Sequence, residues 1–319
     1  MRPRSKTGMR PLRRRGVARE FVQAVTGMAL CVGLTLGTAG GAWSASGGGA
    51  PRTVSGPLAC YGSMAGRALS RPIVGIAATP SDQGYWLVAS DGGIFTFGNA
   101  GFFGSTGAIR LNQPIVGMAP TPDGQGYWLV ASDGGIFSLG DAIFYGSTGA
   151  MRLNKPIVGM APTPDGKGYW LVASDGGIFT FGDAGFFGST GAIRLNQPVV
   201  GMAATPDGQG YWLAAADAGI FTFGDAPYLG GGPLTQDGNT INDFSAFSAS
   251  PDGGGYIIAD ASGSFLLDFG EAPYYGLGYS ASAHSPVVGL TAPLVNSGYW
   301  ETTQDGAVYA LTPGAQTAC

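Results

Sequence analysis

Short apolar runs recur along most of the chain, each closed by a cluster of Gly, Asp, Pro or Ser. Between Pro114 and Lys155 the runs are Ile115 to Ala119, Tyr127 to Ser132, Ile136 to Leu139 and Ile143 to Gly146. The separators Pro122-Asp123-Gly124, Asp133-Gly134-Gly135, Gly140-Asp141 and Gly146-Ser147-Thr148-Gly149 supply the positive φ and the side-chain-to-backbone turns that tight hairpins need. Runs this short, rich in β-branched and aromatic residues, predict a four-stranded antiparallel meander. The second run is apolar at successive positions, the pattern of a strand covered on both faces by neighbouring sheets.

This pattern repeats. Pro72, Pro114, Pro156 and Pro198 are spaced by 42 residues, and so are Trp86, Trp128, Trp170 and Trp212. The Trp position continues at Ile257, 45 residues on, and at Trp300, 43 further, so two diverged units follow four similar ones. A period of this length with several strands per unit is that of a propeller blade. The last unit stops after its third run, Ala307 to Leu311, whereas Tyr61-Gly62-Ser63 lies 42 residues before Phe103-Gly104-Ser105, in the frame of a fourth strand. The chain therefore reads as all-β: a six-bladed β-propeller of four-stranded antiparallel blades over residues 58–319, closed by an N-terminal strand completing the last blade. First runs belong nearest the axis, where Gly75, Gly117, Gly159, Gly201, Ala246 and Gly289 stand in register, small enough for a narrow hub.

The phrase from Pro156 to Phe179, Pro-Ile-Val-Gly-Met-Ala-Pro-Thr-Pro-Asp-Gly-Lys-Gly-Tyr-Trp-Leu-Val-Ala-Ser-Asp-Gly-Gly-Ile-Phe, resembles repeats of secreted actinobacterial proteins, which occur alone or beside cell-wall hydrolase modules. The resemblance covers residues 58–319 and implies a β-propeller-like fold and an extracytoplasmic place, but attaches no reaction to any residue. Units five and six depart from it, with Ile257 for Trp and Asp243 for Pro.

Composition agrees with an all-β reading. Gly 58 and Pro 21 form about a quarter of the 319 residues and charged residues only 11%, too turn-rich for a helical bundle and too apolar for disorder. Charge divides the chain unevenly. Eight of sixteen basic residues but one of twenty acids fall in the first twenty positions, and an uncharged stretch runs from Phe21 to Gly49. Residues 1–45 read as an export signal, with small residues at Ala42, Ser44 and Ala45 for cleavage, and 46–57 as a Gly/Pro/Ser-rich spacer. Left uncleaved, the stretch is long enough for a membrane anchor; Arg13 to Arg15 hint at twin-arginine rather than general export. The remainder carries eight bases against nineteen acids, net −11, which argues against nucleic acid as a partner. Of three cysteines, Cys31 lies in the signal, leaving Cys60 and Cys319 to form a disulfide across the closure, or two free thiols.

Candidate chemistry is sparse. His284 is the sole histidine, so a multi-histidine metal site is excluded. Asp91, Asp133 and Asp175 before Gly-Gly, and Asp123, Asp165 and Asp207 in Pro-Asp-Gly, read as hairpin residues. The spacing of a calcium loop is missing, so no cofactor is expected, with calcium shared between blades left open. In the pairs Phe102-Phe103, Phe144-Tyr145, Phe186-Phe187 and Tyr274-Tyr275 alternation sends one ring into the core and leaves the other to pack on a neighbour or face solvent. The remaining recurrence is Arg110-Leu-Asn112, Arg152-Leu-Asn154 and Arg194-Leu-Asn196, between one blade's outer run and the next blade's first strand. Arg and Asn donors at one rim suit multivalent binding; otherwise Arg pairs with a turn Asp and Asn caps the turn.

The expected function is a secreted, non-enzymatic binding or display module of the cell envelope, its rim loops contacting cell-wall glycan or envelope protein, with a monomer expected. One alternative is an envelope glycan hydrolase or lyase with its site at units five and six, around Asp243, Asp260, Asp268, Glu271 and His284. Another is a structural scaffold without a ligand.

Overall fold

The units fold as three antiparallel strands, except the last, which has four. The computed structural model describes residues 58–232, 235–236, 239–241, 243–272, 285–294, 298–312 and 315–319. The expected export signal, the spacer, Tyr274-Tyr275 and His284 lie outside the described residues. The first sheet holds β1 (Ile73–Ala78), β2 (Gly84–Ala89) and β3 (Ile94–Gly98); the second β4 (Ile115–Pro120), β5 (Gly126–Ala131) and β6 (Ile136–Gly140). The third holds β7 (Ile157–Pro162), β8 (Gly168–Ala173) and β9 (Ile178–Gly182); the fourth β10 (Val199–Ala204), β11 (Gly210–Ala215) and β12 (Ile220–Gly224). A two-stranded ribbon, β13 (Thr235–Gln236) and β14 (Asn239–Thr240), precedes the fifth sheet of β15 (Phe244–Ala249), β16 (Gly255–Asp260) and β17 (Leu266–Gly270). The sixth comprises β18 (Val287–Thr291), β19 (Tyr299–Thr303), β20 (Val308–Thr312) and β21 (Ala315–Ala318).

Second strands are the core. All residues of β2, β5, β8, β11, β16 and β19 are buried, as their unbroken apolar sequence requires in the first four. Their alternation divides the work: Trp86 and Val88 pack forward on Ile115, Tyr127, Leu129 and Ala131 of the next unit, while Tyr85, Leu87 and Ala89 pack backward on Trp300 and Val308. Trp86–Tyr127, Trp128–Tyr169, Trp170–Tyr211 and Trp212–Tyr256 repeat one ring contact at 5.8 to 6.0 Å, and Trp300 meets Tyr85 at 5.4 Å.

First strands neighbour one another in the order β1, β4, β7, β10, β15, β18, and β18 lies beside β1. Each begins pinned to the preceding unit: the Ile115 amide donates to the Ser90 carbonyl at 2.8 Å, Ile157 to Ser132 at 2.8 Å, Val199 to Ser174 at 2.9 Å, and Ile73 to Gln304 at 2.9 Å. The ends bearing the second-to-third-strand turns therefore all face one way, hereafter the near end. The first-to-second-strand turns line the far end, where Gly124 abuts Pro80, Gly166 abuts Pro122 and Gly208 abuts Pro164. The glycines in register on the first strands are crowded in only two cases: a Cβ on Gly201 would come within 3.2 Å of Phe247, and one on Gly289 within 3.1 Å of the Ile76 backbone. Elsewhere they follow a one-residue bulge, between Ile73 and Gly75 and its equivalents, a site where the bend favours a small residue.

The expected fourth strand is an extended run outside the sheet ladder. Gly104, Gly146 and Gly188 have φ of 123, 137 and 136°, incompatible with a continuing strand. Side chains bind the run's backbone instead: the Trp86 indole donates to the Gly101 carbonyl at 2.7 Å, and the Tyr127 hydroxyl of the next unit accepts from the Phe103 amide at 3.2 Å and donates to the Gly104 carbonyl at 2.6 Å. Burial raises the Tyr127 pKa, and that of Tyr85 to about 12, which keeps the donating proton in place.

The N-terminal segment obeys the expected frame but is no strand. Trp300 donates to the Ala59 carbonyl at 3.0 Å, and the Tyr85 hydroxyl accepts from Tyr61 at 3.3 Å and donates to Gly62 at 2.6 Å, so residues 59–62 act as the outer run of the sixth unit. The fourth strand there is instead β21, which pairs with β20 from Tyr309 opposite Ala318 to Thr312 opposite Ala315. The few residues after Leu311 suffice to return along β20, a hairpin that the break in the repeat concealed. Cys60 and Cys319 form a disulfide with Cα atoms 5.1 Å apart, joining the in-frame segment to the residue after β21.

Candidate functional site

The near end carries the recurring Arg-Leu-Asn loops. Thr106 fixes the first: its amide donates to Gly92 at 3.1 Å and its hydroxyl to the Asp91 carbonyl at 3.0 Å, and Thr148 and Thr190 repeat this. Gly92 has φ 76°, and a Cβ there would lie 1.8 Å from the Thr106 hydroxyl, so only glycine fits beneath the loop. Beyond Thr106, Leu111 packs against the core, as do Leu153 and Leu195. The buried Leu turns its neighbours outward, and Arg110, Asn112, Arg152, Asn154, Arg194 and Asn196 are all exposed. Ile109, Met151 and Ile193 beside them are also more than half exposed.

Among the described residues these arginines do not pair with turn aspartates. Asp91, Asp133, Asp175 and Asp217 turn their Oδ1 atoms back onto the amides of Gly93, Gly135, Gly177 and Gly219 at 2.9 to 3.1 Å. Among the described residues none of the three arginines makes an ion pair, the one ion pair being Lys167–Asp165 at 2.9 Å. A hollow of about 310 Å³ opens between successive loops, lined by Gln113 from one and Met151, Asn154 and Lys155 from the next, with Ser132 and Asp133 at its base. The core-or-surface question for the aromatic pairs resolves unit by unit: Phe103, Tyr145 and Phe187 pack on the core clusters, while Phe102, Phe144, Phe186 and Tyr228 are exposed by 56 to 62%.

The far end is acidic. Asp123, Asp165 and Asp207 accept from amides two residues ahead and from the hydroxyls of Thr121, Thr163 and Thr205. The Lys167 ammonium and amide hold Asp165 down to about 2, and the Gln125 and Gln209 amides, with the threonine hydroxyls, lower Asp123 and Asp207. Asp141, Asp183 and Asp225 stand beside them on the following turns, exposed. Among the described residues no three carboxylate, His or Cys side chains converge as a metal site.

The acids of units five and six are divided between the two ends. Asp260 ends β16 at the near end, where the Ala261 amide donates to the Asp243 carbonyl; the Glu271 amide donates to Gly254, ahead of the far-end start of β16. Six strand residues separate the two ends, about 20 Å, beyond the roughly 5 to 10 Å at which paired carboxylates cleave a glycoside. Asp268 lies mid-strand opposite Ile257.

One acid escaped the sequence reading. Glu301 occupies on β19 the position of Leu87 on β2, opposite Leu290 and Tyr309. It is fully buried with neither oxygen hydrogen-bonded, and burial, reinforced by the Asp260 charge, pushes its pKa up to about 8. The signal was the substitution itself, Glu301 at the position that Leu87, Leu129, Leu171 and Leu213 hold in the regular units.

No protein-family model and no curated protein matches the chain. Among solved structures, one described as a structural genomics protein of unknown function from Bacteroides thetaiotaomicron is similar over 76% of this chain and 69% of its own, at 13% identity and a TM-score of 0.51, a likeness of fold alone.

Proposed function

We propose that this protein is a six-bladed β-propeller closed between its sixth and first sheets, exported to the cell envelope, and that it is a non-enzymatic binding module. Support for closure comes from β18 lying beside β1, from the Trp300–Tyr85 contact and from the disulfide. Binding takes place at the near-end loops, where glycan or protein of the envelope meets Arg110, Arg152 and Arg194 in turn. The observation that carries this reading is three exposed arginines, without an ion pair among the described residues, on loops held by the same Thr, Gly and Leu. Unpaired guanidinium groups present planar, bidentate donors at no desolvation penalty from a prior partner. Weak contacts repeated along a repetitive ligand add through effective concentration. The dispersed acids of units five and six give the hydrolase reading no comparable support.

The test is retention of the purified full chain on insoluble cell wall and on a glycan array, beside an Arg110→Ala, Arg152→Ala, Arg194→Ala variant. Saturable retention that the folded variant loses is the expected result. Equal retention of the variant, or none by the unaltered chain, overturns the proposal.

A further inference from the structure

Charge is segregated between the two ends. Residues 58–319 contain seven basic residues: Arg67, Arg71, Arg110, Arg152, Lys155, Lys167 and Arg194. All but Lys167 lie on loops that enter a first strand at the near end, since Met64 and Ile73 bond Gly306 and Gln304 as Thr106 and Ile115 bond Gly92 and Ser90. All six are exposed and none forms an ion pair among the described residues. Lys167, at the far end, is bound to Asp165. Around it stand nine acids in the far-end turns: Asp82, Asp123, Asp141, Asp165, Asp183, Asp207, Asp225, Asp252 and Glu271. The near end carries acids too, Asp91, Asp133, Asp175, Asp217, Asp243, Asp260 and Asp305, which roughly balance its six bases, whereas the far end is strongly negative. Among the described residues, positive charge outside an ion pair thus stands at one end only.

We infer that the near end takes an anionic glycan, a polymer with a carboxylate or phosphate group on its repeating unit. This rests on the binding reading above and specifies its ligand. The other end repels such a polymer, so charge also fixes which end engages. Guanidinium and amide donors recur every 42 residues with Asn112, Asn154 and Asn196, matching a ligand that is itself periodic, and the hollow between loops places Lys155 and Asn154 side by side. The exposed rings Phe102, Phe144, Phe186 and Tyr228 follow the far-end turns that close β3, β6, β9 and β12 and take no part in this surface. A fluid lipid surface would use the charge but not this register.

The experiment measures binding of the full chain to polygalacturonate and hyaluronan, to their carboxyl-reduced forms, and to vesicles of phosphatidylglycerol and phosphatidylcholine in equal parts. The expected result is saturable binding to the charged polymers that weakens at least about tenfold between about 50 and about 500 mM salt. The same binding falls at least about tenfold in the Arg110→Gln, Arg152→Gln, Arg194→Gln variant and is partly kept by the corresponding Lys variant. Equal binding to the carboxyl-reduced polymers overturns the anionic ligand while leaving the near end a binding surface. Binding to vesicles in preference to the polymers overturns the glycan. Binding to none of these probes, with retention on cell wall intact, also overturns the anionic ligand; loss of retention on cell wall as well removes the binding reading with it.

Discussion

The interface between the third and fourth sheets and that between the fifth and sixth are built on one plan and differ most in three side chains of their second strands. At the regular interface Trp170 and Val172 meet Tyr211 and Leu213, all buried and apolar. At the diverged one Ile257 and Ala259 stand in place of Trp and Val, facing Tyr299 and Leu311, and Glu301 stands in place of Leu. The smaller pair withdraws volume just where a carboxyl must be accommodated. The buried acid thus coincides with a changed opposing surface, and this unit is also the one tied covalently to the N-terminal segment at Cys60. Regular units keep the fold through packing, and the last unit, with an unsatisfied group at its interface to the fifth, adds a disulfide at its own outer edge.

The largest test of that contrast is removal of the disulfide. Cys60→Ser with Cys319→Ser should lower unfolding free energy by about 5 kcal/mol or slightly more by the chain-entropy argument, read as a fall in denaturant midpoint; a change below about 1 kcal/mol would mean that packing alone holds the sixth unit. Next, Trp170→Ala should remove about 4 kcal/mol, by lost burial and the cavity left behind. If Ile257→Ala removes as much, the two interfaces are energetically alike and the contrast fails. Third is Glu301, whose folded pKa of about 8 stands above the ordinary 4.5. The folded state holds the proton more tightly, so the stabilising contribution is complete below about pH 4.5 and is lost as pH rises through about 8. Glu301→Leu should flatten this decline and raise stability by about 3 kcal/mol at pH 8.5, seen in melting curves between pH 5 and pH 8.5; parallel curves for variant and unaltered chain would show that the carboxyl is not the titrating group. The smallest effect belongs to the arginine loops: Arg110→Ala, Arg152→Ala and Arg194→Ala together should leave stability within about 0.5 kcal/mol, since none has a partner to lose.

The repeat made the sheets legible. Spacing of Trp, Pro and Gly-containing turns located the first three strands of the regular units to within a residue or two, and the frame of Tyr61 placed the N-terminal segment correctly against Trp300. What escaped was whether the fourth run pairs as a strand, because its apolar residues satisfy the pattern while Gly104, Gly146 and Gly188 adopt φ values that break it. A run bound by an indole and a phenol from elsewhere leaves no local signature. The loops were legible as candidates, but not the freedom of their arginines, which depends on the aspartates folding back onto Gly93, Gly135 and Gly177. Charge segregation was hidden for a similar reason: net charge is a sum, and only the pinning of each first strand to the preceding turn shows which residues share an end.

The bridge from Cys60 to Cys319 spans a sequence separation of 259 residues. Tension applied between these two residues passes through a covalent bond and loads none of the hydrogen-bond ladders between them. In mechanical terms the sheets are short-circuited. Pulling from these points cannot peel off β21 or draw out residues 59–62 until the bridge is reduced, so resistance to force at this site is set by thiol chemistry and not by β-sheet strength.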